Sequence, residues 1–245
     1  MSKGKLVKFA QVATMPNMVQ NHAGHNSDFV INHKGEQVKI KGLWHEFFGN
    51  DKPITLELAC GGGEYTVALA ARYPDRNFVG VDIKSARMLR GAKQAIREGN
   101  TNAAFLRTRI EELLCFFAQN EVAEIWITFP DPFLRHSDRF HRLTSHRFQR
   151  IYQQILPKNG IIHLKTDEPN LFDYTLEVLN EINATILYQD RNIHSKPLPF
   201  PELAIKTYFE SIDIAQESTV KYVQYTLPET EVVVPIKKGL GFRDE

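Results

Sequence analysis

Ile54-Thr55-Leu56-Glu57-Leu58-Ala59-Cys60-Gly61-Gly62-Gly63-Glu64 runs from an apolar strand, through three glycines, into a helix start. A glycine turn between a strand and a helix lets a ligand approach the backbone, because no side chain stands in the way. Asp82 ends the next apolar stretch, Asn77 to Asp82, 19 positions after Gly63. That spacing suits an acid that accepts hydrogen bonds from a ribose diol where the strand order of a sheet reverses.

Working outward, strands are expected at Ile54 to Leu58, Asn77 to Asp82, Ala103 to Arg107, Val122 to Phe129, Gly160 to Lys165 and Ala184 to Tyr188. Between them, apolar residues at helical spacing predict helices over Glu64 to Arg72, Ser85 to Glu98, Glu111 to Ala118, Ser145 to Leu156 and Asn170 to Asn180. Regular alternation of strand and helix means an α/β fold, doubly wound, with a mostly parallel sheet covered on both faces. Pro197-Leu198-Pro199-Phe200-Pro201 breaks the pattern as an extended connection. After it, Lys206 to Ala215 reads as helix and Val220 to Leu227 as an alternating strand, placed antiparallel at the sheet edge, for seven strands in all. Residues 1–50 lack sustained periodicity and read as an N-terminal basic arm with an entry helix around Leu43 to Phe48, and residues 51–245 as the α/β domain.

The 245 residues carry a formal net charge of +1, which does not advertise a polyanion partner. Local charge does. No acid precedes Asp28, whereas Lys3, Lys5 and Lys8 do, and between Arg135 and Arg150 stand five arginines and three histidines against the single acid Asp138. Local field, rather than net charge, steers an anionic partner. This basic segment follows Phe129-Pro130-Asp131-Pro132, where two prolines forbid continuation of the strand ending in Ile127-Thr128-Phe129 and hold Asp131 at its end. Taken alone, the motif also fits a stiff turn and the charges a solvated helix face.

Only Cys60 and Cys115 occur, without a paired or metal-ligand spacing, which fits a reducing compartment and no metal. His22, His25 and His33 have no accompanying cysteine or carboxylate pattern and are expected at the surface. No apolar run approaches the roughly 20 residues that span a bilayer, and no signal sequence opens the chain. A cytoplasmic protein with no membrane partner, monomer or homodimer, is expected.

The glycine loop discriminates between cofactors. A dinucleotide register beginning at Ala59 lacks its first glycine and puts Glu64 where a pyrophosphate belongs, at a helix N-terminus. Glu57 adds another carboxylate. S-adenosylmethionine has no phosphate and carries a sulfonium and an ammonium, so an acid-lined turn suits it better than a nicotinamide cofactor.

The Glu57 to Gly63 loop, Asp82, Phe129 to Pro132, Thr166-Asp167 and Thr207-Tyr208-Phe209-Glu210 occur in the order found in the bacterial tRNA (guanine-N7-)-methyltransferase family, and the chain resembles that family over roughly residues 50 to 227. The resemblance implies the class I methyltransferase fold, S-adenosylmethionine as methyl donor and N7 of a guanine in the variable loop of tRNA as acceptor. It places Glu57, Gly61, Gly63, Asp82, Arg109, Ile110 and Asp131 around the cofactor, makes Asp131 the catalytic residue, and gives Arg135, Asp167 and Thr207, Tyr208, Phe209 and Glu210 to the substrate. Arg139, Arg142 and Arg147 are expected on the RNA backbone.

The chain departs from the family at several positions. Ala59 stands for the usual first glycine, which is tolerable at negative φ. Asp82 is often Glu in the family. Arg109 falls where an Asp commonly contacts adenine, leaving a backbone amide near Ile110 to take its place. Phe133-Leu134-Arg135-His136 replaces Trp-Pro-Lys-Lys, and Tyr208 replaces the lysine of the last motif. Rival readings are a methyltransferase acting on another RNA or a small molecule, an RNA-binding module with a vestigial cofactor fold, and a nicotinamide-dependent oxidoreductase. Retention of Glu57, Asp82 and Asp131 argues against decay.

Overall fold

The strands at Ile54–Leu58, Asn77–Asp82, Glu124–Thr128 and Ile161–Thr166 are buried on both sides, so neither face there can be left to water. A computed structural model describes residues 3–22, 24, 27–211 and 219–235, with the side chains of Lys3, Lys5 and Phe209 outside that description. In chain order the elements are α1 (Lys3–Ala13), β1 (Met18–Gln20), β2 (Val30–Ile31), β3 (Gln37–Val38), α2 (Trp44–Phe48), β4 (Ile54–Leu58), α3 (Glu64–Arg72), β5 (Asn77–Asp82), α4 (Ser85–Arg97), β6 (Ala103–Arg107), α5 (Leu113–Phe116), β7 (Glu124–Thr128), α6 (His146–Ile155), β8 (Ile161–Thr166), α7 (Pro169–Glu181), β9 (Thr185–Asp190), α8 (Tyr208–Ser211) and β10 (Lys221–Thr226). Residues 212–215 of the expected helix from Lys206 to Ala215 lie outside the described residues, as does His25.

The sheet order is β3-β2-β1-β6-β5-β4-β7-β8-β10-β9. Its seven-strand portion, β6 to β9, is the expected doubly wound arrangement, and β4, β5, β6, β7 and β8 run parallel. The expected count of seven falls short of the ten observed. The three additional strands, β1 to β3, are each two or three residues long, too short for an alternation to be read, and β1 pairs parallel to β6 with Met18 opposite Phe105. The strand expected to be antiparallel at the edge, β10, is antiparallel and lies one position in from the rim: it pairs with β8 and with β9, which is outermost.

Residue parity sorts the core into two layers, because successive strand side chains point to opposite faces. Leu56, Val79, Leu106, Ile125, Ile127, Leu164 and Val223 join one cluster with Trp44, Phe116, Phe148, Tyr152 and Phe172 from α2, α5, α6 and α7. Phe78, Phe105, Trp126 and Tyr222 join the other with Tyr65, Val67, Met88 and Ala92 from α3 and α4. Strand order reverses between β5-β4 and β4-β7, so the crevice at the carboxyl ends of β4 and β7 is the switch point at which doubly wound sheets bind ligands. Among the described residues no helix is long and apolar enough to cross a membrane.

Candidate functional site

The loop after β4 is tightly built. Gly63 precedes α3 at φ 74°, and a Cβ there would meet the Phe105 ring at 2.4 Å, so only glycine fits. From α4, Gly91 lies so close that a Cβ would stand 2.5 Å from the Gly62 carbonyl oxygen. Ala59 departs from the expectation: its φ is 55°, in the left-handed region that glycine adopts without cost. Left-handed backbone costs a residue with a side chain about 1–2 kcal/mol, part of which glycine would lose again through greater freedom when unfolded. Ala59→Gly is therefore expected to stabilise the protein by about 0.5–1 kcal/mol in thermal unfolding; an unchanged or lower midpoint would contradict strain at this position.

Asp82 ends β5 beside that loop. One carboxylate oxygen accepts the Gly61 N–H at 3.0 Å and the other the Lys84 N–H at 2.7 Å, which fixes the side chain at the edge of the sheet. Glu57 lies below, 3% exposed. Its Oε2 accepts the Thr66 N–H at 2.8 Å and the Thr66 hydroxyl at 2.5 Å, and its Oε1 accepts the Thr128 hydroxyl at 3.3 Å. Burial pushes its carboxyl up to about 7, against the pull of these hydrogen bonds. The residue thus braces β4, α3 and β7 from beneath the cleft.

Two cavities meet at Ala59. One of about 340 Å³ is lined by Ala59, Asp82, Ile83, Arg109, Ile110, Asp131, Phe133 and His141 among others. The second, of about 480 Å³, is lined by Glu57, Ala59, Gly61, Gly62, Glu64, Arg87, Arg90, Thr207 and Tyr208 among others, with Lys8 of α1 at its rim. Acid, glycine loop and Asp131 are thereby gathered around one cleft. A sulfonium cofactor fits: an anchored acid for a ribose on one side, and a glycine loop open to backbone approach on the other. Glu64, read as a bare negative charge, is instead paired with Arg90, whose guanidinium also stands 5.6 Å from the Tyr208 ring centroid. The charge that argued against a dinucleotide is thus partly neutralised.

Asp131 sits exposed in a strained loop. Phe129 and Phe133 have φ of 46° and 43°, so two bulky residues on either side of it are left-handed. Such outliers concentrate at functional sites. The Phe129 N–H still donates to the Lys165 carbonyl at 2.8 Å, the last bond of the β7–β8 ladder. Arg135, Arg139 and Arg147 are exposed nearby.

Three expected ligand contacts turn out differently. Arg142 is only 6% exposed and turns inward, away from the RNA-backbone position expected of it; its guanidinium donates to the Pro132 carbonyl at 2.9 Å and the Phe133 carbonyl at 3.1 Å. Glu210 is not an open substrate contact: it forms a buried ion pair with Lys165 at 2.8 Å. The Lys165 ammonium also donates to the Leu203 and Ile205 carbonyls, each at 3.0 Å. Burial lowers its pKa, and the Glu210 carboxylate opposes that shift. Thr207 is buried and its hydroxyl accepts the Glu210 N–H at 3.2 Å, capping α8. Tyr208 is half exposed at the cleft, whereas the Phe209 side chain lies outside the described residues. Asp167 is exposed, and α7 is capped by Glu168, which accepts the Asn170 N–H at 3.1 Å, leaving the Asp167 carboxylate clear of that duty.

Sequence reasoning missed Thr66, Thr128, Arg90, Lys165 and His141 as parts of the site. Lys165 alone carried a signal, as a charge within an apolar strand whose faces are both covered. Among the described residues no group of three or more His, Cys, Asp or Glu is placed to hold a metal.

Residues 51–223 match a family described as "Putative methyltransferase". The chain is 43% identical over 232 residues to a tRNA (guanine-N(7)-)-methyltransferase of Bacteroides fragilis, covering 94% of this chain and 88% of that protein. It is 48% identical over 195 residues to the tRNA (guanine-N(7)-)-methyltransferase of Porphyromonas gingivalis, covering 78% and 79%. Among solved structures, the 16S rRNA methyltransferase KamB superposes with a TM-score of 0.59 at 14% identity, over 79% of this chain and 97% of that one, which establishes the shared fold.

Proposed function

The chain belongs to the tRNA (guanine-N(7)-)-methyltransferase family, and from that premise we propose how its cleft moves a methyl group from S-adenosylmethionine to N7 of a guanine in the variable loop of tRNA. The observation that carries the reading is the convergence of the glycine loop, the anchored Asp82 and the exposed Asp131 on one cleft at the switch point of the sheet.

The N7 lone pair lies in the ring plane and bears no proton in neutral guanine, so no base is needed to create the nucleophile. The lone pair forms the new N–C bond while the S–C bond returns its electrons to sulfur, leaving a thioether and a cationic methylated guanine. Asp82 and the Gly61–Gly63 backbone would hold the donor, and Ile110 and Arg109 would line the same cleft. Alignment of N7 with the sulfonium methyl removes several kcal/mol, of order 7 in favourable systems. Asp131 faces the Watson-Crick edge of the base, where its carboxylate strengthens the hydrogen bonds as positive charge moves onto the ring. Asp167 assists from the end of β8, while Thr207 and Tyr208 frame the other half of the cleft.

Arg135, Arg139 and Arg147 extend the site as a basic surface for the RNA backbone. Removing charge at Arg139 and Arg147 is expected to weaken tRNA binding and to flatten its salt dependence by about one unit of log-log slope per lost phosphate contact. An unaltered slope would place these side chains off the RNA path. Incubation with labelled S-adenosylmethionine tests the assignment of substrate: label is expected in unmodified tRNA, and label confined to ribosomal RNA would contradict it.

A further inference from the structure

Among the described residues, no strand pairs with the Asp131 loop over positions 130–133. Pro132 lacks an N–H, and Phe133 sits at φ 43°. One inward-turned cation gathers what this backbone leaves open. The Arg142 Nε donates to the Pro132 carbonyl at 2.9 Å and lies 3.3 Å from the Phe133 carbonyl, which also accepts from Nη2 at 3.1 Å. The guanidinium carbon stands 4.6 Å from the centroid of the Tyr174 ring on α7. A buried cation gains from acceptors for its N–H groups and compensation for its charge; here two carbonyl dipoles meet Nε and Nη2 and an aromatic ring lies against the guanidinium.

We propose that Arg142 is a positioning residue for methyl transfer, its guanidinium clamping the Pro132 and Phe133 carbonyls so that the loop presents Asp131 to the guanine. Resting on the assignment of Asp131 above, the inference gives the basic segment two separate roles. Its exposed arginines face outward to RNA, and Arg142 turns inward to the catalytic loop. The planar fork spans two carbonyls in a way that a single ammonium does not. Without it, both carbonyls lose their donor and Phe133 is free to leave the left-handed region, carrying Asp131 with it. Misplacement by about 1 Å at such a site lowers turnover about 100-fold.

The experiment compares R142A, R142K and D131A with the wild-type chain, reading kcat, the salt slope of tRNA binding, and rescue by methylguanidinium. R142A is expected to lose about 100-fold in kcat, to keep its salt slope, and to regain turnover with millimolar methylguanidinium but not with sodium chloride at equal ionic strength. Wild-type kcat in R142A would overturn the clamp. So would a slope lower by about one unit, the mark of a phosphate contact. Should R142A fail to fold, R142K decides: a fall in kcat at unchanged KM for tRNA supports the clamp, and wild-type kcat overturns it. D131A separates the two assignments. Normal turnover in D131A removes the role of Asp131 itself, whereas an inactive D131A beside a fully active R142A removes the clamp alone.

Discussion

Asp131→Ala is expected to lower methyl transfer by about 10²–10³-fold, the range seen when one preorganised group that stabilises transition-state charge is removed, while leaving S-adenosylmethionine affinity almost unchanged. On the proposed reading the glycine loop and Asp82 hold the donor, and Asp82 is locked to the Gly61 and Lys84 amides whatever stands at position 131. Asp131 is exposed between two prolines, and the proposed reading places it where the acceptor base arrives. Its value rises during the reaction, because the guanine gains a positive charge that the sulfonium loses. Asp131→Asn separates charge from shape: it keeps a hydrogen-bond acceptor and loses the charge, so an intermediate rate is expected. Single-turnover measurement with saturating S-adenosylmethionine provides the check. A normal rate in D131A would sink the catalytic assignment, and a loss traced wholly to weaker cofactor binding would reassign the residue to the cofactor.

Lys165→Met is the second large effect, and it falls on stability. The ammonium is fully buried and serves three acceptors at once: Glu210, the Leu203 carbonyl and the Ile205 carbonyl. Its charge also lies 5.5 Å from the Tyr65 ring and 5.6 Å from the Phe129 ring, tying the segment before α8 to α3 and to the end of β7. Breaking one side of a buried pair strands the other charge, at a cost of about 3–5 kcal/mol. In a chain of this size that corresponds to a fall in the thermal midpoint of roughly 6–20 °C. The double variant K165M/E210M leaves no stranded charge and is expected to recover much of the loss. A midpoint within a degree of wild type for K165M alone would show that the pair is not a fastener. The same measurement distinguishes Glu210 as a structural residue from Glu210 as a substrate contact, since only the former makes the double variant more stable than the single one.

What could be read in advance follows the range of the forces involved. β4, β5, β7 and β8 are buried on both faces, so they appear as short apolar runs, and the helices between them repeat their apolar residues at helical spacing. β1 to β3 carry too few residues for any period, and β10 reads as a strand without revealing that it slides between β8 and β9, because pairing order is a property of the whole sheet. At the cleft, the places of Gly63 and Asp82 were legible because a close-packed left-handed turn demands glycine and a strand end beside it leaves an acid within reach of the loop amides. Arg142 was not. In a run of arginines and histidines nothing local tells which guanidinium turns inward, and the choice is made by distant carbonyls and the ring of Tyr174. Lys165 lay in between: a lysine in Ile161-Ile162-His163-Leu164-Lys165 must be buried if the strand is central, but its three acceptors come from residues about 40 positions later. Ala59 was misjudged in conformation, since a small residue can accept the left-handed region at a cost that other contacts of the loop offset.

This cleft is expected to methylate N7 of one guanine in the variable loop of tRNA. Incubating the protein with S-adenosylmethionine and unmodified tRNA, then cutting the chain at N7-methylated guanine, tests it most directly. The expected result is a single new scission in the variable loop that requires the cofactor and vanishes with D131A; methyl transfer without N7 scission, or scission outside the variable loop, would contradict it.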